Sequence, residues 1–223
     1  GEGRGAPDGT LGPHWAPLAT ALGRLGPDDR ANRRHEVERL LAEDGVTYHI
    51  TGGDRPGPGR WTTDPIPLLL AADEWAGIER GVAQRAELLD LVLTDLYGPR
   101  HLLTRGLLPP EVVHGHPGFL RPCDQIRLPG PRQLFLTATD VARDGTGGHV
   151  VLSDRTQAPS GAGYALENRV VASRVLPELR RAAEVHRLAP FFRSLRASLQ
   201  QVAPDTDEPP RIVVLTPGPW SET

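Results

Sequence analysis

Lysine is absent from this sequence of 223 residues, so its 25 basic side chains other than histidine are all arginine. This absence excludes a phosphate-binding loop built on lysine and catalysis through a lysine Schiff base. The single cysteine, Cys123, excludes a disulfide framework and a zinc cluster of several cysteines. No apolar run approaches the roughly 18 residues of a membrane-spanning helix, and residues 1–12 lack the apolar centre of a signal peptide. We therefore expect a soluble, cytoplasmic protein of bacterial type.

Charge and composition give no reason to expect nucleic acid or a membrane as a partner. The net charge is −3 and the isoelectric point is about 6.3, which does not favour binding to a polyanion or an anionic lipid surface. Hydrophobic residues make up 38% of the chain, beside 25 glycines and 23 prolines. This mixture is typical of a folded protein with many turns.

The first part of the chain predicts a helix followed by a short strand. Residues 28–44 have the spacing of an amphipathic helix that Gly45 ends. The apolar stripe of this helix consists of Val37, Leu40 and Leu41. Residues 46–51 alternate like a strand, and the Gly/Pro-rich residues 52–59 predict a loop.

The clearest pattern is a long helix that begins near Asp73 and ends before Gly98. Its apolar positions recur at spacings of three and four, namely Trp75, Ile78, Val82, Ala86, Leu89, Leu93 and Leu96. Residues 101–114 then predict short helices that Pro109 and Pro110 interrupt.

The second half predicts a hairpin, two helices and a final strand. Residues 134–136 and 150–152 flank an Asp-Gly turn, which predicts a β-hairpin. Helices are predicted at residues 164–176 and 188–202. Residues 212–215 have the composition of a buried strand that opens a parallel α/β unit.

These elements predict an α+β fold, with an N-terminal helical layer on a hairpin-containing sheet and the first strand of an α/β subdomain at the end. We expect a disordered tail at residues 1–13 and a helical and hairpin domain at residues 14–203. A linker at residues 204–210 would lead to the start of the α/β subdomain at residues 211–223.

The densest polar segment, residues 153–169, runs from a predicted strand through a Ser/Gly-rich loop into a helix. Backbone amides at such a helix start can bind an anion. Asp154 and Glu167 could supply oxygen ligands to Mg²⁺, and Arg155 and Arg169 could bind a carboxylate or phosphate with two hydrogen bonds. The glycines and proline could equally form an ordinary turn, with the charged side chains on a solvated helix face.

This segment, at residues 154–169, resembles a signature of the circularly permuted ATP-grasp proteins. Residues 64–68, 116–123 and 215–219 match three further motifs of the same family in the same order. The resemblance covers the chain from about residue 45 to its end. It implies kinship with glutathionylspermidine synthases and with glutathione synthetases of the eukaryotic type.

The resemblance implies an ATP- and Mg²⁺-dependent ligase that joins a carboxylate to an amine through an acyl-phosphate. The substrates would be small-molecule or peptide acids and amines. In such proteins the ATP-grasp lysines and the adenine pocket lie further along, beyond the position of Thr223. We therefore expect this chain to be the N-terminal part of the enzyme, inactive without the C-terminal ATP-grasp region.

The resemblance also implies roles for individual residues. The metal ligands would be Asp154, Thr156 and Glu167, with Asn168 as an alternative. Relatives usually carry Glu and Asn where this chain has Asp154 and Thr156, and a threonine is the weaker ligand. Catalytic roles fall to Arg155 and Arg169. The substrate-binding residues would be Arg121, Asp140, Ser160, Gly161, Tyr164 and Asn168.

Two other functions remain open from the sequence. The chain could be a non-catalytic binding or scaffold module derived from such a ligase. A zinc hydrolase is the other alternative, because His114, His116, Cys123 and Asp124 lie close together in sequence. Zinc sites require at least three firm protein ligands.

Overall fold

The computed structural model describes residues 12–50, 57–182, 185–203 and 208–215. The α-helices in these ranges are α1 Ala16–Gly23, α2 Pro27–Glu43, α3 Ala72–Leu96, α4 His101–Thr104, α5 Pro110–His114, α6 Ala162–Val175, α7 Pro177–Ala182 and α8 Ala189–Gln201. The strands are β1 Thr47–Ile50, β2 Gly57–Arg60, β3 Ala138–Arg143 and β4 His149–Arg155. They form two antiparallel pairs, β1–β2 and β3–β4. The mixed α+β class predicted from the sequence is confirmed.

The chain divides into two compact units. Unit 1 comprises Gly1–Glu74, Ser160–Leu188 and Val214–Thr223, and unit 2 comprises Trp75–Pro159 and Ala189–Val213. No helix in the described ranges is both long enough and apolar enough to cross a membrane.

Helices α1, α2, α6 and α7 enclose the hydrophobic core of unit 1. Its buried residues are Leu18, Val37, Leu40, Leu41, Val171, Val175, Leu176 and Leu179. The predicted stripe of α2 is confirmed, since all three of its members are in this cluster. Arg33 of α2 donates hydrogen bonds to the Val175 carbonyl and the Glu178 carboxylate. The first of these bonds satisfies a carbonyl at the end of α6 that has no partner within its helix.

The ends of α2 follow from local chemistry. The Asp29 carboxylate accepts a hydrogen bond of 3.1 Å from the Gly26 N–H, which satisfies a donor at the helix start. Gly45 has a φ of 66°, the left-handed conformation that commonly ends a helix. The prediction that Gly45 ends this helix is confirmed.

A second strand follows β1 where the sequence predicted only a loop. β2 pairs with β1 from Thr47 opposite Arg60 to Ile50 opposite Gly57. The loop prediction is therefore wrong for residues 57–59, whereas residues 51–56 lie outside the described ranges. Gly59 faces the Tyr48 ring so closely that a Cβ would lie 2.8 Å from it. The glycine-rich composition thus serves close packing within a strand pair.

The long helix α3 organises unit 2, and its predicted limits are confirmed. The predicted apolar stripe is half-buried, except that Trp75 is 43% exposed. Asp90 of α3 is 4% exposed, and its carboxylate accepts hydrogen bonds of 2.7 and 2.8 Å from the N–H groups of Gln133 and Leu134. These bonds hold the segment to α3, so the strand predicted at residues 134–136 is wrong and β3 begins at Ala138.

The strand predicted at residues 212–215 is also wrong. These residues form no strand, and Val213 and Leu215 are 79% and 97% exposed. A strand needs a hydrogen-bonded neighbour, and none of the described strands pairs with this segment. Residues 1–11, 204–207 and 216–223, which include most of the predicted tail and α/β start, lie outside the described ranges, so the domain boundaries stay predictions.

Candidate functional site

The predicted site residues are distributed over both units. Unit 2 contains Arg121, Asp140, Asp154, Arg155 and Thr156. Unit 1 contains Ser160, Gly161, Tyr164, Glu167, Asn168 and Arg169. The polar segment at residues 153–169 therefore passes from unit 2 to unit 1 between Pro159 and Ser160.

Asp154 lies near the end of β4, directly opposite Thr139 of β3. The Thr139 hydroxyl donates a hydrogen bond of 2.9 Å to Asp154 Oδ1. Arg85 of α3 donates from Nε to both carboxylate oxygens, at 3.0 and 2.8 Å, and its Nη2 lies 2.6 Å from Oδ2. Hydrogen bonding from Arg85 is the main cause that lowers the pKa of Asp154, against the opposing effect of desolvation. Asp154 is therefore an ionised carboxylate held in one orientation.

A bulge in β4 determines this pairing. Asp140 lies opposite Ser153, but the next residue of β3, Val141, lies opposite Val151, so Leu152 has no partner across the hairpin. Without the bulge, the register at the turn would place Thr139 opposite Ser153. The extra residue therefore brings the Asp154 carboxylate and the Thr139 hydroxyl together.

Arg155 and Asp140 lie on the other face of the same hairpin, because neighbouring residues of a strand alternate in direction. Arg155 Nη2 donates to Asp140 Oδ1 at 2.6 Å, and the Ser153 hydroxyl donates to Asp140 Oδ2 at 2.5 Å. The Arg155 and Asp140 side chains are 58% and 43% exposed. The structure thus brings Asp140 and Arg155 together and directs both away from Asp154.

The described part of unit 2 offers a Mg²⁺ ion a single suitable carboxylate, that of Asp154. Mg²⁺ in phosphate sites usually takes one or two protein carboxylates, with phosphate oxygens and waters as its other ligands. Asp154 meets the requirement for one carboxylate, provided that a metal replaces Arg85 as the cation beside it. Thr156 is exposed. Across the described residues, no three His, Cys, Asp or Glu side chains group closely enough to hold a metal ion.

The histidines at positions 114 and 116, which the sequence offered as zinc ligands, make packing and backbone contacts instead. The His114 ring packs edge-on against Phe119, and His116 Nδ1 accepts a hydrogen bond from the Gly118 N–H. Tyr97 stacks on Phe119 with ring centroids 4.9 Å apart. Arg121, which begins a short 3-10 turn, is exposed.

The start of α6 in unit 1 has the geometry expected for an anion site. Gly161 precedes the helix with a φ of 108°, a conformation that side chains disfavour. No side chain caps this helix start, so the first N–H groups of α6 point outward without an intrahelical partner. Ser160, just before Gly161, is exposed. Anion binding at this point stays a prediction.

Tyr164 and Asn168, one turn apart on α6, both contact Trp61. The rings of Trp61 and Tyr164 stack with centroids 4.2 Å apart, and the Trp61 indole N–H donates to Asn168 Oδ1 at 2.8 Å. The Tyr164 hydroxyl donates to the Thr47 carbonyl at 2.8 Å. These contacts attach the β1–β2 hairpin to α6, so both side chains have a clear structural role.

Glu167 faces another acidic group, Asp44. Desolvation and a hydrogen bond with Asp44 raise the pKa of Glu167, the charge of Asp44 adds to this effect, and the charge of Arg174 only partly offsets it. Its Oε1 is buried without a hydrogen-bond partner. A carboxyl group whose charged form is disfavoured is a weaker metal ligand than the ionised Asp154. Arg169, two residues further along, is half-buried.

Sequence reasoning missed Arg85 and Trp61, the partners of the predicted residues. Arg85 lies outside the apolar stripe of α3, where an arginine is typical of a solvated helix face. Trp61 was one of four scattered tryptophans. Trp61 directly follows β2. Because the sequence predicted a loop instead of this strand, the position of Trp61 beside a strand pair could not be used to predict its packing.

Comparison with known proteins gives a consistent result. The family model described as circularly permuted ATP-grasp type 2 matches residues 67–223. An uncharacterized protein of Mycobacterium tuberculosis is 42% identical over 224 residues, which cover 97% of this chain and 25% of the relative. A Frankia alni protein provisionally named as a glutamate–cysteine ligase is 36% identical over 95% of this chain and 24% of its own length. The chain thus spans about a quarter of these relatives.

Proposed function

Because the chain belongs to the circularly permuted ATP-grasp type 2 family, we propose that it is part of an ATP- and Mg²⁺-dependent carboxylate–amine ligase. ATP transfers its γ-phosphoryl group to a substrate carboxylate, which releases ADP and leaves an acyl-phosphate. The nitrogen of an amine then attacks the acyl carbon, phosphate leaves, and the amine loses a proton as the amide forms. Because the chain spans about a quarter of its relatives, this activity is assigned to the whole protein.

One observation carries the proposal beyond family membership. Asp154 is an ionised, oriented carboxylate at a strand end in unit 2. A carboxylate is the protein ligand that Mg²⁺ usually takes in phosphate sites. Bound Mg²⁺ supplies charge neutralisation for the nucleotide phosphates. In this proposal Asp154 is the protein carboxylate that holds it.

The remaining site residues take roles within their own units. In unit 2, Thr156 is an accessory metal ligand. Arg155 and Asp140 lie on the hairpin face opposite Asp154, so the role of Arg155 at phosphoryl oxygens and those of Asp140 and Arg121 at the acid substrate are proposed from the family alone. In unit 1, Arg169 stabilises negative charge and Glu167 is an alternative metal ligand. The substrate contacts of unit 1 are Ser160, Gly161, Tyr164 and Asn168.

The finer assignments rest on the family. We propose that the whole protein has a glutathione-synthetase-like ATP-grasp architecture, is related to glutathionylspermidine synthase, and acts in the bacterial cytoplasm. The name of the Frankia alni relative makes glutamate and cysteine the first acid and amine to test. A non-catalytic binding module is the second candidate. It is favoured by the saturation of Asp154 with hydrogen bonds from Arg85 and Thr139.

The proposal is tested by ADP formation in the full-length protein. Asp154→Ala should abolish Mg²⁺-dependent ADP release, because the metal loses its protein carboxylate. Glu87→Ala is the control, since Glu87 is an exposed carboxylate of unit 2 paired with an arginine, Arg132, and neither residue has a role in the proposed chemistry. The control should retain activity within about twofold, as expected for an exposed ion pair. Near-normal turnover in a folded Asp154→Ala variant would remove Asp154 from metal binding, and absence of turnover in the parent protein with any acid and amine would favour the binding module.

A further inference from the structure

A cavity of about 330 Å³ lies within unit 1, between α2 and the segment that follows β2. Its lining includes Arg34, Val37, Glu38, Leu41, Trp61 and Asp64. None of these residues has a role in the proposed ligase chemistry. The volume is at the lower end of the range for small-molecule sites, which corresponds to a ligand the size of an amino acid.

The cavity has an apolar floor with fixed positions. Val37 and Leu41 belong to the buried core of unit 1 and are 2% and 3% exposed. Trp61 is held by its stacking on Tyr164 and by its hydrogen bond to Asn168. Because these side chains are already fixed, little conformational entropy is lost when an apolar group contacts them.

The rim of the cavity carries both charge signs. Arg34 and Glu38 are one turn apart on α2, and both are exposed. Asp64 lies across from them, with Oδ1 fixed by a hydrogen bond of 2.8 Å from the Ile66 N–H. A ligand that bears a carboxylate and an ammonium group would complement this arrangement of one cation and two anions.

The pairing pattern of α2 distinguishes Arg34 from its neighbours. Arg33 bonds to the end of α6, Arg39 pairs with two glutamates of its own helix, and Arg30 donates to the Leu22 carbonyl. Within the described ranges Arg34 makes no such ion pair or hydrogen bond. Its guanidinium therefore remains available to bind a carboxylate through two parallel hydrogen bonds.

We propose that this cavity binds a small zwitterion with an apolar side chain, such as an amino acid. Arg34 binds the carboxylate, Glu38 and Asp64 bind the ammonium group, and the side chain rests on Val37, Leu41 and Trp61. The inference concerns binding in unit 1 and does not depend on ligase activity.

The test is calorimetric titration of the full-length protein with three probes: L-leucine, L-leucinamide, which lacks the carboxylate, and 4-methylpentanoate, which lacks the ammonium group. L-leucine should bind saturably and at least about tenfold more tightly than either analogue, because each analogue leaves a charged partner unmatched. Equal affinities, or no saturable binding of L-leucine, would overturn the proposal.

Variants then show which residues cause the difference in affinity between L-leucine and its two analogues. The Arg34→Gln variant should bind L-leucine about tenfold more weakly than the parent protein does, and it should bind L-leucine and L-leucinamide with equal affinity. Arg39→Gln, on the same helix but outside the cavity, should keep the affinity of the parent protein. Asp64→Asn keeps the oxygen that accepts the Ile66 N–H and removes the charge, so it should reduce the preference for L-leucine over 4-methylpentanoate. Equal effects of Arg34→Gln and Arg39→Gln would place the ligand elsewhere.

Discussion

The contact between Trp61 and Asn168 allows a quantitative test, because it is one of two hydrogen bonds that attach the β1–β2 hairpin and the residue after it to α6. The indole N–H donates to Asn168 Oδ1 at 2.8 Å in a partly buried setting. Trp61→Phe removes the donor and retains an aromatic ring for Tyr164 to stack on. Asn168→Ala removes the acceptor. The double variant removes both partners, so the cycle of four proteins isolates the energy of the pair.

The expected magnitudes follow from the geometry. A neutral hydrogen bond of this kind contributes about 0.5–1.5 kcal/mol net, and a partner that loses its bond while buried costs about 1–3 kcal/mol. Each single variant should therefore destabilise the protein by about 1–2 kcal/mol. The double variant should lose about 0.5–1.5 kcal/mol less than the sum of the two, because the second substitution removes a group that already lacks its partner.

Urea unfolding followed by circular dichroism measures these free energies. Trp75→Phe is the matched control, since Trp75 is 43% exposed and outside unit 1, and it should change stability by less than about 0.5 kcal/mol. If the two single effects add within about 0.3 kcal/mol, Trp61 and Asn168 do not interact in solution. Asn168 would then be free for the substrate role alone.

Two further predictions concern unit 2. Asp90→Ala should destabilise the protein by about 1–3 kcal/mol, because two backbone N–H groups lose their acceptor, and hydrogen exchange should accelerate at Gln133 and Leu134; unchanged exchange there would contradict the role of Asp90. The lowered pKa of Asp154 means that its pairing with Arg85 stabilises the fold above the unfolded-state value of about 3.9 and is lost as pH falls through the folded value. Arg85→Gln should therefore make stability less dependent on pH below about 4; an unchanged acid profile in urea titrations would show that the pair does not form.

Most of the correct fold predictions came from the periodic spacing of apolar residues. The stripe of α2 and the limits of α3 and α8 were readable because one face of each helix is more buried than the other. Helix α1 was missed, although Leu18 is 1% exposed, because eight residues provide too few turns for a clear period. The strand prediction at residues 134–136 is wrong because Asp90, more than forty residues earlier, accepts hydrogen bonds from the N–H groups of Gln133 and Leu134 and so holds the start of this segment to α3.

The site shows the same division between local and distant information. The sequence located the polar segment and the glycine at the start of α6, whereas Asp140 was named only through the family resemblance. The partners of these residues could not be read in the same way. Asp154 reaches Thr139 only through the bulge at Leu152, and its salt bridge comes from Arg85 on another element. Such pairings depend on register and tertiary packing, which a single sequence does not display.

The central claim is that the whole protein activates a carboxylate by phosphorylation, and oxygen transfer tests it most directly. Full-length protein would be incubated with ATP, Mg²⁺, an amine and acids labelled with ¹⁸O in the carboxylate, and the released phosphate would be examined by mass spectrometry. The account predicts one ¹⁸O atom in each phosphate that accompanies amide formation. Release of ADP with unlabelled phosphate would contradict it.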